Sequence, residues 1–243
     1  MKTVIITQAR MTSTRLPGKV MKKVLGKPLL EYHIERLKRV RTADEIIVAT
    51  TNNDIDDVIV TLARKLNVCY YRGSEEDVLL RYYEAAKEAK ADVVVRVTSD
   101  CPLIDPEIVD MSIRFYLDNV ERYDYVSNTI KRTYPRGMDT EVFDVCVLND
   151  VHERVKSPVD REHVTRYIYT HPEQYRLGYI LHEEDLSNHR WTVDTDEDFR
   201  LIRKIIEELY PEKPCFSMKD CLALLQKYPE WVQINSNVRQ KEP

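Results

Sequence analysis

What the 243-residue sequence lacks narrows its class first. Its five cysteines, Cys69, Cys101, Cys146, Cys215 and Cys221, are odd in number and widely spaced. No CxxC pair and no Cys/His ligand spacing occurs, which argues against a structural zinc site and a disulfide framework. No apolar run approaches the roughly 20 residues needed to cross a bilayer. Met1 and Lys2 lead straight into a short apolar run, too brief for the core of a secretion signal. These absences point to a reducing cytoplasm. Neither sign of charge dominates: the formal net charge is −4, so nothing favours a nucleic-acid or membrane partner. Glycine is scarce, five residues against eleven prolines. With no repeat or low-complexity segment either, long disordered stretches are not expected.

What is present describes a folded α/β protein. Hydrophobic residues make up 43% and charged residues 32% of the chain, and the length fits one domain with at most a small extension. Runs rich in β-branched residues predict strands at 3–7, 45–50, 69–71 and 92–97. Helical spacing predicts helices from about Pro28 to Val40, from Asp54 with Ile55, Val58, Ile59, Leu62 and Leu66 inward, over 78–89, and from Asp105-Pro106 to Leu117. This βαβαβα order implies a mostly parallel sheet covered on both faces. Beyond Asn119 short strands are expected at 125–127, 141–143 and 175–181, and helices at 145–155, 160–169, 196–210 and 218–228. The 196–210 helix should bury Phe199, Ile202, Ile206 and Leu209. The polar tail from Asn235 should be loose. The fifteen tyrosines are scattered and suit packing.

The most informative stretch is Gln8 to Lys19, QARMTSTRLPGK. It leaves the first strand and supplies Arg10, Arg15 and Lys19, with Thr12, Ser13 and Thr14 between them and Pro17-Gly18 as a turn. No acidic residue follows until Glu31, although the chain is net negative. Backbone amides, hydroxyls and cations in one loop suit a polyphosphate, although composition alone also fits a solvated basic loop. In an open parallel sheet, ligands sit beyond the carboxyl ends of strands. Thr98-Ser99-Asp100 leaves another such end. If both strands are central, the cations and Asp100 face one crevice.

The string Ala9-Arg10-Met11-Thr12-Ser13-Thr14-Arg15-Leu16-Pro17-Gly18-Lys19 resembles the signature loop of the sugar-acid cytidylyltransferases. These include the CMP-Kdo and CMP-sialate synthetases and the spore-coat polysaccharide biosynthesis protein F group. The resemblance implies a Rossmann-like three-layer α/β/α nucleotidyltransferase fold with a small inserted flap. It divides a single domain, 1–234, into a nucleotide-binding part (1–119), an acceptor and dimerisation part (120–195) and C-terminal helices (196–234). It implies that Gln8, Ala9, Arg10, Ser13, Thr14, Arg15 and Lys19 bind CTP, and that Arg15, Lys19 and Asp100 are catalytic. VTSDCPLID resembles the family's second motif, whose Asp, here Asp100, binds metal. The pattern around Val193-Asp194-Thr195 resembles the second metal carboxylate, matched by Asp194, with Asp196 as the fallback ligand. Locally this acidic cluster also reads as a helix start, with a Thr195–Asp198 capping box. Asp105 is left as a cap. The metal implied is Mg²⁺, which takes one or two carboxylates and keeps waters.

The family uses the region of Arg72, Ser74 and Asp77 for cytosine and ribose, although spacing alone equally allows an i,i+4 pair between Asp77 and Arg81. Arg136-Gly137-Met138-Asp139-Thr140-Glu141 and Arg161-Glu162-His163-Val164-Thr165 resemble spore-coat group strings. They imply an acceptor site with Arg136, Asp139, Glu141, Arg161 and His163, the arginines for a carboxylate and the others for hydroxyls. The expected reaction transfers CMP from CTP to the hydroxyl of a sugar acid or related sugar. Other nucleotides, phosphorylated polyol acceptors and a non-catalytic nucleotide-binding role are the alternatives. Family members are commonly dimers, so a homodimer is expected by analogy.

Overall fold

Three consecutive β-branched residues, Val4, Ile5 and Ile6, have no solvent exposure and form the middle of the central strand. The computed structural model describes residues 1–240. The elements in chain order are β1 (Thr3–Gln8), a small ribbon of β2 (Lys23–Val24) and β3 (Lys27–Pro28), α1 (Leu29–Leu37), β4 (Glu45–Thr51), α2 (Asp57–Lys65), β5 (Cys69–Gly73), α3 (Val78–Glu88), β6 (Val93–Thr98), α4 (Pro106–Leu117), β7 (Tyr125–Ser127), β8 (Glu141–Asp144), α5 (Val145–Arg154), α6 (Pro158–His163), α7 (Arg166–Thr170), β9 (Leu177–Tyr179), α8 (Asp196–Leu209) and α9 (Met218–Lys227).

The main sheet has seven strands in the order β5-β4-β1-β6-β8-β7-β9. The first four are parallel, β8 runs antiparallel to both β6 and β7, and β9 is parallel to β7. Because side chains alternate along a strand, Ile5 packs toward α1, α4, α8 and α9, whereas Val4 and Ile6 pack toward α3 and α5. The result is a three-layer α/β/α arrangement. β1 and β6 are neighbours in register, Gln8 opposite Thr98. The Gln8–Lys19 loop and the Thr98–Asp100 loop therefore emerge side by side from the same edge.

Several local expectations are corrected. Ile55 and Val58 are exposed: a 3-10 turn over Asp54–Asp56 precedes α2, rotating the buried face to Ile59, Val60, Leu62 and Ala63. Asp54 does not cap this helix. The expected 160–169 helix is two, because Val164 adopts a φ of 54° between α6 and α7. The strand expected over 175–181 contracts to β9. In α8, Leu201 and Ile205 share the buried stripe with Ile202 and Ile206, and Phe199 and Leu209 are only partly buried. The polar tail is anchored at its first residue, and Ser236, Asn237, Arg239 and Gln240 are exposed. Asn235 is buried, and its Nδ2 donates to Arg190 O at 2.9 Å and Asp198 Oδ1 at 2.8 Å. Residues 241–243 lie outside the described residues.

Candidate active site

The polar loop after β1 is held by its own backbone and by two acids from neighbouring strand ends. Gly18 adopts a φ of 68° and donates to Met11 O at 2.8 Å, closing the loop. Such a φ favours glycine. Asp56 accepts from Met11 N at 2.8 Å, and Glu75 accepts from Thr12 Oγ1. Gln8, Ala9, Arg10, Ser13, Thr14, Arg15 and Lys19 all line a cavity of about 450 Å³, together with Thr98, Ser99, Asp100 and Asp194.

Lys19 is the centre of the charge arrangement. Its Nζ donates to Asp100 Oδ2 at 2.7 Å and to Asp194 Oδ1 at 2.8 Å. Asp194 Oδ2 also meets Arg15 Nη2 at 2.9 Å and Arg190 Nη2 at 2.7 Å. Burial works against the Lys19 charge, but Asp100 and then Asp194 outweigh it and raise its pKa. Burial likewise works against the Asp100 carboxylate. The Lys19 ammonium, with hydrogen bonds from Thr98 and Cys101, overrides it and holds Asp100 well below the usual carboxylate range. Two acids 94 positions apart in the sequence thus converge on one cation. Asp196, the fallback ligand, turns away: its side chain is 73% exposed and pairs with Lys22.

Behind Asp100 runs a buried relay. Thr7 Oγ1 lies 2.8 Å from Ser99 Oγ and 3.0 Å from His33 Nε2, and His33 Nδ1 lies 2.9 Å from Cys101 O. A carbonyl only accepts, so Nδ1 donates, Nε2 accepts from Thr7, and Thr7 accepts from Ser99. Burial holds the His33 pKa down to about 4, so the ring is neutral and fixes the loop without adding charge.

A second cavity, of about 500 Å³, adjoins the first and shares Arg15, Thr98, Asp100, His163 and Asp194 with it. Arg136, Asp139, Glu141 and His163 line it, as do Arg96 and Arg132. Most of these charges are already spent. Arg132 holds Asp139 in a two-point pair at 2.6 and 2.9 Å. Glu141 accepts from Arg96, from Tyr125 Oη at 2.9 Å and from Thr165 Oγ1, so both its oxygens are engaged. Arg136 differs: its side chain has no hydrogen bond or ion pair among the described residues. Burial and then the Arg132 charge lower its pKa, outweighing the support of Asp139. Burial also lowers the pKa of His163.

The chain brings the distant strings together through Gly137. At a φ of 107°, an added Cβ there would come within 2.7 Å of the Trp191 backbone. Arg136 accordingly pairs with Arg190 as a β-bridge, and Trp191 N donates to Arg136 O at 2.7 Å.

A model of the family described as cytidylyltransferase matches residues 4–237. The chain belongs to that family. It is 33% identical to the spore coat polysaccharide biosynthesis protein SpsF of Bacillus subtilis, over 93% of this chain and 94% of that one. It is 35% identical to the 3-deoxy-manno-octulosonate cytidylyltransferase of Pelobacter propionicus over 115 residues, 47% of this chain and 44% of that one. The structure of a cytidylyltransferase from Leptospira borgpetersenii superposes with a TM-score of 0.92 at 34% identity, covering all of both chains. The chain is accordingly a CTP-dependent nucleotidyltransferase.

Four residues expected to bind substrate lie elsewhere in this cytidylyltransferase: Arg72, Ser74, Asp77 and Arg161 line neither cavity. Arg72 binds Thr51 O at 2.9 Å and Asn53 O at 2.8 Å and pairs with Asp57. Ser74 Oγ accepts from Asp77 N at 3.0 Å. Asp77 caps α3 by accepting from Leu80 N at 2.9 Å, and it pairs with Arg161 rather than Arg81. Arg161 also donates to Val155 O at 2.8 Å, tying α6 to the end of α5. Sequence reasoning missed Arg132, Arg96 and Arg190. Arg190 spans Asp194, Asp198 and Gln240 Oε1 at 2.6 Å. Its one sequence signal was its position four residues before Asp194. Asp198 makes the expected capping box with Thr195 and, fully buried, also balances Arg190. Asp105 caps α4 as expected.

Proposed function

We propose that this cytidylyltransferase transfers CMP from CTP to the hydroxyl of a sugar acid, releasing pyrophosphate, in surface polysaccharide synthesis. One observation carries this reading: Asp100 and Asp194, bridged by Lys19, line both a loop-lined polar cavity and a second cavity containing one arginine without an ion pair. The triphosphate occupies the first cavity, over the amides and hydroxyls of the loop. The acceptor occupies the second, with its carboxylate on Arg136. The acceptor hydroxyl attacks the α-phosphorus, and the bond to the β-phosphate breaks in line. Arg15 and Lys19 neutralise the departing pyrophosphate. His163, common to both cavities and with its pKa lowered by burial, is placed to take the hydroxyl proton.

Asp100 Oδ2 and Asp194 Oδ1 converge on the Lys19 ammonium, so a hard divalent cation held by both would displace it from between them, and no cluster of three His, Cys, Asp or Glu side chains forms a metal cage among the described residues. That donor set suits Mg²⁺, which completes its shell with water and substrate oxygens. Asp100 and Asp194 would hold it, where it supplies charge neutralisation at the α-phosphate. Arg15 also lines the acceptor cavity, which makes a phosphorylated sugar the second reading. A pyrophosphate-release screen crossing four nucleoside triphosphates with sugar acids and sugar phosphates decides between them. Release only with CTP and a sugar acid is expected. Release only with sugar phosphates overturns the sugar-acid reading.

A further inference from the structure

Arg81 is a buried guanidinium without a carboxylate partner. It lies in α3 with no solvent exposure, and no ion pair neutralises it among the described residues. Its Nη1 donates to Ser74 O, its Nη2 donates to Gln8 Oε1 at 2.8 Å, and its Nε has no partner. Its stem packs on Gly73, where an added Cβ would come within 3.1 Å of Arg81 Cγ. Burial works against its charge, and the Asp56 and Glu75 carboxylates that support it do so without an ion pair, so a desolvated cation held this way is costly. The group touches no cavity itself. What it does is determine how Gln8 is turned.

A guanidinium only donates, so the Gln8 atom facing it is the carboxamide oxygen. The amino group of Gln8 is the face left for the cavity that Gln8 lines beside Arg15 and Lys19. That face is a pure donor. Cytosine presents acceptors at N3 and O2, whereas uracil carries a hydrogen on N3. O2 is an acceptor in both bases, so the discrimination lies at N3, where a locked donor pairs with cytosine and opposes the N3–H of uracil. We propose that Arg81 and Gln8 form a base-selecting pair: Gln8 donates to the acceptor edge of cytosine, and Arg81 is the positioning residue that prevents the carboxamide from flipping. This rests on the reading that the nucleotide occupies the loop cavity.

The test is calorimetric binding of CTP, UTP and ATP in Mg²⁺ buffer, so it needs no acceptor. The wild-type chain is expected to prefer CTP. In Gln8→Glu the new carboxylate pairs with Arg81 and turns an acceptor to the base, and the CTP-to-UTP affinity ratio should fall at least tenfold. Arg81→Met should lower the ratio less, because Gln8 then samples both orientations. Gln8→Ala keeps the test decisive if the buried Arg81 variant does not fold: it should remove most of the preference. A merely structural role for the pair would weaken all three nucleotides alike. An unchanged CTP-to-UTP ratio in both Gln8 variants, or a uniform loss across the three nucleotides, overturns the base-selecting pair while leaving the cavity assignment standing. A wild-type chain that binds no nucleotide overturns the cavity assignment and the pair with it.

Discussion

The two cavities are built on opposite electrostatic plans. The loop cavity gathers its cations and anions around a shared centre: Lys19, Arg15 and Arg190 converge on Asp194, and Lys19 also holds Asp100. The second cavity separates its charges into closed pairs, Arg96 with Glu141 and Arg132 with Asp139, and leaves Arg136 over. A shared centre can be redistributed when a charged ligand arrives. Closed pairs make a rigid wall, and the residual charge then sets what the wall attracts. The difference also follows the sheet. The shared centre sits over parallel strands β1 and β6, and the paired wall lies along the antiparallel half.

The sharpest way to break this contrast is at the shared centre. Asp100→Ala should fold, since Lys19 keeps Asp194, yet lose about 10³-fold in kcat, the scale of a lost electrostatic stabiliser. Near-normal pyrophosphate release at saturating CTP would show that the centre is not catalytic. On the paired wall the same kind of change should act on stability. Glu141→Gln leaves Arg96 buried beside a neutral group and should cost about 3 kcal/mol in urea unfolding; a loss under 1 kcal/mol would mean that the wall is not held by its pairs.

The neutral relay behind Asp100 offers a pH test. His33 titrates near 6.5 unfolded and near 4 folded. The unfolded chain therefore takes the proton first, and stability present above pH 6.5 is lost as pH falls toward 4. The shift corresponds to on the order of 3 kcal/mol. His33→Gln should flatten that part of the melting profile, and an unchanged profile would sink the neutral-relay account. Arg136→Met should raise the acceptor KM about tenfold to a hundredfold while leaving the CTP KM alone; an equal rise in both would erase the division between the cavities. Asn235→Ala, at the docked tail, should cost about 1 kcal/mol, read as a small fall in melting temperature with the CTP KM unchanged.

What could be read along the chain was whatever depends on neighbours in sequence. The β-branched run at Val4–Ile6, the Asp105-Pro106 helix start and the Gly18 turn are set within a few bonds, and the Gln8–Lys19 string carries its cations and hydroxyls in one segment. Asp77 shows the limit: the same residue type at the same spacing serves as a helix cap and a partner for Arg161 and lines neither cavity. The helix start is where the spacing places it, but the partner is Arg161 and not Arg81.

By itself, the sequence determined the alternation of strands and helices, the loop at the end of β1 and two acids able to bind cations. Only the tertiary structure decided that Asp100 and Asp194 meet at Lys19, that Arg136 has no ion pair in the second cavity, that Arg81 donates to Gln8 and that Asn235 and Gln240 reach Arg190. The reason is physical. Helix and strand formation follow from local sterics and periodicity, but a buried charge takes its function from partners that the chain delivers from far away, and its energy changes steeply with distance and burial.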